Sequence, residues 1–392
     1  MDFTILNPEI QQFINENIDK NISKLALQKN PFHGTDWILI LNQIEAKKKS
    51  KLKLSNWFST KDIIYPSKIS IEQTSSEITA EYKSRIVSGE NLIDLTGGFG
   101  VDDYYFSRKV NKLAHCEIDL ELSQIVKHNY KTLGIKNISC HTGDSLEILS
   151  SLEIQWDWIY IDPSRRNNEK SKVFMLKDCL PNVPENLNLF FKYSKSILLK
   201  TAPLLDISAG LSELQHVKTI HIVALDNEVK ELLWELHSDY FGGINISTVN
   251  ITKQKEEVFN FTMKSSVEMS KYSLPQKYLY EPNAAIMKSG GFDEIGNIYN
   301  LYKLHKHSHL YTNSIQITFP GRIFKIDDCF PYHKIEIKNK LEGKQLNITT
   351  RNFPETVEII RKKWKIKEGG NQYCFFTTDE NNNKIVLICT KI

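Results

Sequence analysis

The 392-residue chain lacks the marks of several protein classes. Its six cysteines include no CxxC pair. That argues against a zinc knuckle, an iron–sulfur site or a disulfide framework, and it implies a reducing compartment, the cytoplasm. No apolar run reaches the roughly 18 residues that span a bilayer. The start, Met1-Asp2-Phe3-Thr4, has no basic stretch leading into an apolar one, so no signal peptide is expected. There is no internal repeat and no low-complexity tract. Charge of one sign is also missing: 50 Lys and Arg stand against 47 Asp and Glu, for a net +3. Such a balance neither demands nor excludes a nucleic-acid partner, so any basic surface has to be local. What is present is 41% hydrophobic and 25% charged residues, the profile of a soluble globular protein. The length implies about two or three domains.

Texture along the chain suggests three regions. Residues 1–75 are helical in pattern, with Ile10, Phe13, Ile14, Ile18, Ile22 and Leu25 at helical spacing. The basic run Lys47–Lys51 is expected as a solvated helix end, with an RNA contact as its other reading. Over residues 76–268, short apolar runs alternate with helical stretches: Leu92–Leu95, Leu113–Ile118, Trp158–Ile161, Ile197–Leu199 and Thr219–Ala224. This predicts a parallel sheet with helices on both faces. Ile246–Ile251 and Phe259–Met263 follow without a helix between them, as an antiparallel pair would. Residues 269–392 mix helix and strand signals and end in two strands joined at Asn381-Asn382-Asn383.

The segment Asn91–Gly100 is the strongest chemical signal. An apolar strand ending at Asp94 runs into Thr96-Gly97-Gly98-Phe99-Gly100, and a helix follows. Glycines let the backbone pass close beneath a ligand, and the helix start favours a polar or anionic group. A tight strand-to-helix turn also needs glycine for steric reasons alone. The next strand ends at Glu117, roughly 20 residues on, where an acid reaches a ribose diol in nucleotide-binding units. Asp119 is the alternative, with helix capping its stronger reading. A third strand ends at Gly143-Asp144-Ser145; Asp144 would accept from an adenine amine or cap the helix after it. The fourth strand runs into Asp162-Pro163-Ser164-Arg165-Arg166.

These four features, in this order, resemble the class I S-adenosylmethionine-dependent methyltransferases. A dehydrogenase would want GxGxxG, but Asp103 holds the last glycine position. The resemblance implies an α/β, Rossmann-like methyltransferase core with a helical N-terminal region and a smaller α+β C-terminal domain. It implies S-adenosylmethionine as cofactor, held by Asp94, Thr96, Gly97, Gly98, Gly100, Glu117, Asp144 and Asp162. Ser70–Glu77 looks like the upstream segment that covers the cofactor's methionine end in related RNA methyltransferases, which adds Thr74 and Ser75. Asp162-Pro163-Ser164-Arg165 is similar to the (Asp/Asn)-Pro-Pro-aromatic motif of enzymes that methylate base amines. In that pattern the Asp162 carboxylate and Pro163 carbonyl hydrogen-bond the acceptor N–H, making Asp162, Pro163 and Ser164 the catalytic candidates. The motif departs in having Ser164 for its second proline and Arg165 for the ring that would stack on a flipped base.

Three C-terminal stretches, Tyr278–Asn283, Asn347–Pro354 and Lys367–Gly370, resemble a bacterial family with a THUMP-like C-terminal domain. THUMP domains bind RNA, so the resemblance makes RNA, as tRNA or rRNA, the expected acceptor. Candidate RNA contacts are Arg165, Arg166, Arg351, Arg361, Lys362 and Lys365; for Arg165 and Arg166 a structural carboxylate partner is an equal alternative. Val357, Ile360 and Trp364 form the buried stripe of a helix over Pro354–Trp364, which turns its basic residues toward solvent. Asp226–Glu231 suits a helix cap better than a substrate contact. His305, His307 and His309 alternate but have no acidic or thiol partner nearby in sequence, so they are expected at the surface and no metal is expected. Two further readings stand beside the RNA methyltransferase: an RNA-binding protein on a degenerate methyltransferase fold, and a small-molecule methyltransferase.

Overall fold

The computed structural model describes residues 3–165, 175–264 and 268–392. The chain divides into two compact units, one of residues 1–217 and 234–240, the other of residues 218–233 and 241–392.

The first unit opens with helices Pro8–Asn17, Ile22–Ala26, Trp37–Lys53, Ser55–Ser59, Lys68–Gln73 and Glu77–Ser84. Ile10, Ile14 and Leu25 of the predicted stripe are buried in one core with Ile40, Ile44, Trp57, Tyr104 and Tyr130. The basic run lies inside Trp37–Lys53, where Lys47 Nζ donates to Asn15 Oδ1 at 2.7 Å and Lys49 pairs with Glu72. Strands β1 (Asn91–Asp94), β2 (Lys112–Glu117), β3 (Ile138–Thr142) and β4 (Trp158–Ile161) follow. After them come the two-residue pieces β5 (Ser164–Arg165) and β6 (Cys179–Leu180), then β7 (Ser196–Thr201). β1 pairs in parallel with β2 and β4, β2 with β3, and β4 with β7. Leu92, Ile93, Ile159, Ile161, Leu198 and Leu199 are fully buried, as a parallel sheet covered on both faces requires.

Strands β8 (Val217–Leu225), β9 (Glu228–His237), β10 (Asn245–Ile251) and β11 (Glu256–Thr262) come next. Within the first unit the strand order is β9-β7-β4-β1-β2-β3, with β9 represented by residues 234–237. Within the second it is β11-β10-β8-β9, with the first half of β9. β10 runs parallel to β8 and antiparallel to β11, the pair expected from the sequence. Asp226–Glu231 does not cap a helix. Asp226 and Asn227 have φ of 47° and 65° and form the two-residue turn into β9. Two successive positive φ values are what a tight strand-to-strand turn demands, and Asp and Asn tolerate them.

The second unit continues with β12 (Tyr278–Pro282), β13 (Tyr302–Lys303), β14 (Tyr311–Asn313), β15 (Gly321–Pro331), β16 (Asn347–Thr350), β17 (Gln372–Thr378) and β18 (Lys384–Lys391). They form a seven-stranded sheet in the order β13-β14-β12-β15-β18-β17-β16. Helix Val357–Trp364 is capped by Thr356 and buries Ile360 and Trp364 with Phe376 and Val386. The observed architecture is the mixed α/β class expected, with a large sheet and a smaller α+β C-terminal region. No described helix is long and apolar enough to cross a membrane.

Candidate active site

The ends of β1, β2, β4 and β7 converge in the first unit on the glycine turn. Asp94 Oδ1 accepts from Thr96 N at 2.7 Å and Thr96 Oγ1 at 3.0 Å. Thr96 Oγ1 in turn accepts the Asp162 amide at 2.6 Å, so one hydroxyl ties the ends of β1 and β4 together. The glycines do different jobs. A Cβ on Gly97 would lie 2.1 Å from His115 Cε1, and one on Gly100 would lie 2.0 Å from the Tyr130 hydroxyl. Those two positions are reserved by the protein's own packing. Gly98, at φ 56°, would have only the Thr96 carbonyl within 4 Å, at 3.7 Å. Open space above a backbone of this conformation is what a ligand lying on the turn needs. Gly98 N donates to Glu117 Oε2 at 3.0 Å, and Asp119 N donates to Oε1 at 2.8 Å, which fixes the Glu117 carboxylate beside the turn. Ile118, next along, is 75% exposed, an apolar face beside the acid. An open glycine, an oriented carboxylate and an exposed aliphatic side chain fit a nucleoside-bearing cofactor.

Beneath the turn lie two buried polar networks. His115 Nδ1 and Asp103 Oδ2 are 2.7 Å apart, with the Tyr130 hydroxyl 3.4 Å from that oxygen. Burial pushes the Asp94 and Asp103 carboxyls well above the usual range, and the charge of Asp103 adds to the rise at Asp94. Burial pushes the His115 imidazole down, favouring the neutral ring. In the second network Asp102 Oδ2 accepts from Ser75 Oγ at 2.9 Å and from the Tyr160 hydroxyl at 2.8 Å. Its Oδ1 faces the fully buried Lys83 Nζ at 2.9 Å, and Lys83 also donates to Ser75 Oγ at 2.7 Å. Burial raises the Asp102 carboxyl, but the charges of Lys83 and Lys200 and the bonds from Lys83 and Tyr160 outweigh it. The carboxyl therefore sits below the ordinary carboxylate range.

Asp94, Thr96, Gly97, Gly98, Gly100, Glu117 and Asp162 are thus brought together, and Ser75 joins them through Asp102. Thr74 is half-buried and ends helix Lys68–Gln73. Asp144 is exposed, and its Oδ1 accepts the amides of Leu146 and Glu147 at 2.8 and 3.1 Å, as the N-cap of helix Ser145–Ser151. Pro163 and Ser164 lead from Asp162 into β5, where Ser164 pairs with Leu180 and Arg165 with Cys179. Arg166 lies outside the described residues. Sequence reasoning missed Lys83, Asp102, His115, Tyr160 and Lys200. Lys200 had one legible sign, its place at the ligand-facing end of a buried strand.

The basic candidates of the second unit separate. Arg351 Nη2 donates to Glu281 Oε1 at 2.8 Å, and Arg322 pairs with the other oxygen of the same carboxylate. Arg361 Nη2 donates to the Leu346 carbonyl at 3.3 Å. Lys362 and Lys365 are exposed. His305 is buried, not at the surface: its Nε2 is 3.1 Å from Asn382 Oδ1, and its Nδ1 accepts from Asn352 Nδ2 at 2.9 Å and His307 N at 3.1 Å. His309 stacks on Phe292 at 3.6 Å, while His307 is exposed. No group of three or more His, Cys, Asp or Glu among the described residues could hold a metal ion.

Residues 278–320 match the profile of a ferredoxin-like domain, and residues 321–391 that of a THUMP domain-like family. No curated protein matches the sequence. Among solved structures, a putative methyltransferase from Porphyromonas gingivalis W83 overlays 98% of this chain and 97% of its own, with TM-score 0.88 and 29% identity. TrmK of M. capricolum, solved with S-adenosylhomocysteine, overlays 42% of this chain and 69% of its own, with TM-score 0.33 and 13% identity. Trm5b of Pyrococcus abyssi overlays 42% and 49%, with TM-score 0.30 and 13% identity.

Proposed function

We propose that this chain, built throughout like a putative methyltransferase and carrying a THUMP-like C-terminal domain, is a cytoplasmic S-adenosylmethionine-dependent methyltransferase acting on RNA. Its parts are a helical region at 1–75, a catalytic domain at 76–268 and an RNA-holding domain at 269–392. One observation carries the reading: an open glycine turn, an oriented Glu117 and the partly exposed Asp162 stand at adjoining strand ends. Glu117 receives the ribose hydroxyls, Gly98 leaves room for the nucleoside, and Ile118 offers the base an apolar face. Asp162 and the Pro163 carbonyl orient the acceptor. S-adenosylmethionine supplies an already activated methyl group, so the protein's task is chiefly alignment. Support for RNA comes from the THUMP-like match, since THUMP domains bind RNA. A base amine is the acceptor that the Asp162-Pro163 pair suits, through hydrogen bonds that turn its lone pair outward.

Titration calorimetry with S-adenosylmethionine and S-adenosylhomocysteine tests the cofactor, and absence of binding of both at millimolar concentration overturns the proposal. Mass spectrometry of nucleosides from a deletion strain against its parent tests the acceptor. One methylated nucleoside should disappear; an unchanged set removes RNA as substrate.

A further inference from the structure

Lys200 ends the buried run of β7, and its side chain is only 13% exposed. Its ammonium pairs with Asp162 Oδ2. The same charge acts on Asp102, which is paired with the buried Lys83. Charges therefore alternate along Lys83, Asp102, Lys200 and Asp162. This row starts in helix Glu77–Ser84 and ends on a carboxylate that is 35% exposed.

As a stabilising contact the pair gains little, because its carboxylate is partly exposed to water and ordering a long lysine side chain offsets part of the attraction. The pair has a clearer consequence for direction. The Asp162 main chain is fixed by its amide bond to Thr96 Oγ1. Its carboxylate plane is not, because the terminal torsion of an aspartate is broad and nearly two-fold. Among the described residues the recorded bond to the carboxylate comes from Lys200, at Oδ2. Holding one oxygen sets where the other lies. The charge of Lys200 is also attracted toward the buried Asp102, on the side away from solvent.

We propose that Lys200 is a positioning residue: it holds Asp162 by Oδ2 so that Oδ1 is presented to the methyl acceptor, and it acts on transfer only through Asp162. The inference rests on the role given to Asp162 above. It goes beyond that role by assigning a function to a residue that no motif includes.

The test is a double-mutant cycle of full-length Lys200→Met, Asp162→Ala and the double variant, with Lys200→Arg beside it. Total RNA from cells lacking the gene serves as acceptor. Turnover, KM for RNA, cofactor affinity by calorimetry and thermal stability are measured. Lys200→Met should lose about 100-fold in kcat, the scale of a small misplacement, while KM and cofactor affinity stay within about threefold. Lys200→Arg should recover turnover to within about tenfold of the parent, because a guanidinium still pairs with the carboxylate. The double variant should be no slower than Asp162→Ala alone. Wild-type kcat in Lys200→Met beside an inactive Asp162→Ala overturns this inference and leaves the role of Asp162 standing. Full turnover in Asp162→Ala overturns that role itself. A double variant slowed by the product of both factors shows an independent, structural part for Lys200 and overturns the inference too. If Lys200→Met does not fold, the arginine variant decides: recovery supports positioning, and a kcat as low as that of Asp162→Ala overturns it.

Discussion

Each unit matches two cations with acids, and the arrangements are opposite. In the first, Lys83 is fully buried, Lys200 nearly so, and the row ends on the accessible acid Asp162. In the second, Glu281 is the buried member at 3% exposure, while Arg322 and Arg351 close over it from outside, each about a third exposed. A row that ends on an accessible acid has a free face to offer a ligand. An acid enclosed by two guanidiniums has spent its bonding capacity on the fold. Arg351 shows the consequence: a basic residue near a surface is a poor phosphate contact once a buried carboxylate already matches its charge.

The largest expected effect would break this contrast at its structural end. Glu281→Gln leaves two guanidiniums without their shared acid and should cost about 3 kcal/mol, the low end for a broken buried pair because both arginines reach solvent. Denaturant unfolding of the whole chain measures it, and cofactor affinity should not move. A loss below about 1 kcal/mol would mean the clamp is an ordinary surface pair.

The glycine turn sharpens the contrast within the first unit. Gly97→Ala drives a methyl into the fixed His115 ring and should cost about 1–3 kcal/mol of stability. Gly98→Ala meets open space, so it should cost about 1 kcal/mol in backbone strain and lower cofactor affinity more than stability. Equal behaviour of the two variants in unfolding and calorimetry would remove Gly98 from the site.

Acid should separate the polar interiors next. In the second unit burial, with the charges of Lys303, Arg351 and His307, pulls the His309 imidazole down from 6.5 to about 4. The unfolded chain takes up that proton near pH 6.5, whereas the folded one waits until about 4. Stability present above pH 6.5 is therefore lost as pH falls toward 4. His309→Asn, which keeps a residue tolerant of φ 51°, should flatten the unfolding midpoint across that window. An unchanged slope would assign the acid sensitivity to other groups.

The smallest effect concerns RNA. With Arg351 and Arg361 already hydrogen-bonded within the second unit, Lys362 and Lys365 are the exposed members of that unit's candidate set. Replacing both with alanine should flatten the slope of log affinity against log salt by about 0.7 per lost contact on a single strand. An unchanged slope would make this face ordinary solvated surface.

What could be read along the chain was local. The Asn91–Gly100 turn, the Glu117 spacing and the Asn381–Asn383 turn each depend on backbone sterics over a few residues, and each could be placed from residue order alone. β9 was hidden because Asp226-Asn227-Glu228 has the composition of a helix cap as well as of a tight turn. Strand pairing chose between them. Asp144 carried the same ambiguity, and its bonds to two helix amides show the capping geometry directly.

By itself, then, the sequence determined the alternation of strands and helices around β1 to β4, the glycine turn and the acids at strand ends, because periodicity and turn chemistry act over one or two turns of chain. Tertiary structure decided which charges are matched. Glu281 finds its arginines 41 and 70 residues away, and Asp162 finds Lys200 38 residues away. No local pattern encodes those pairings. They exist because strand registry brings distant side chains into a low-dielectric interior, where an unmatched charge would be costly.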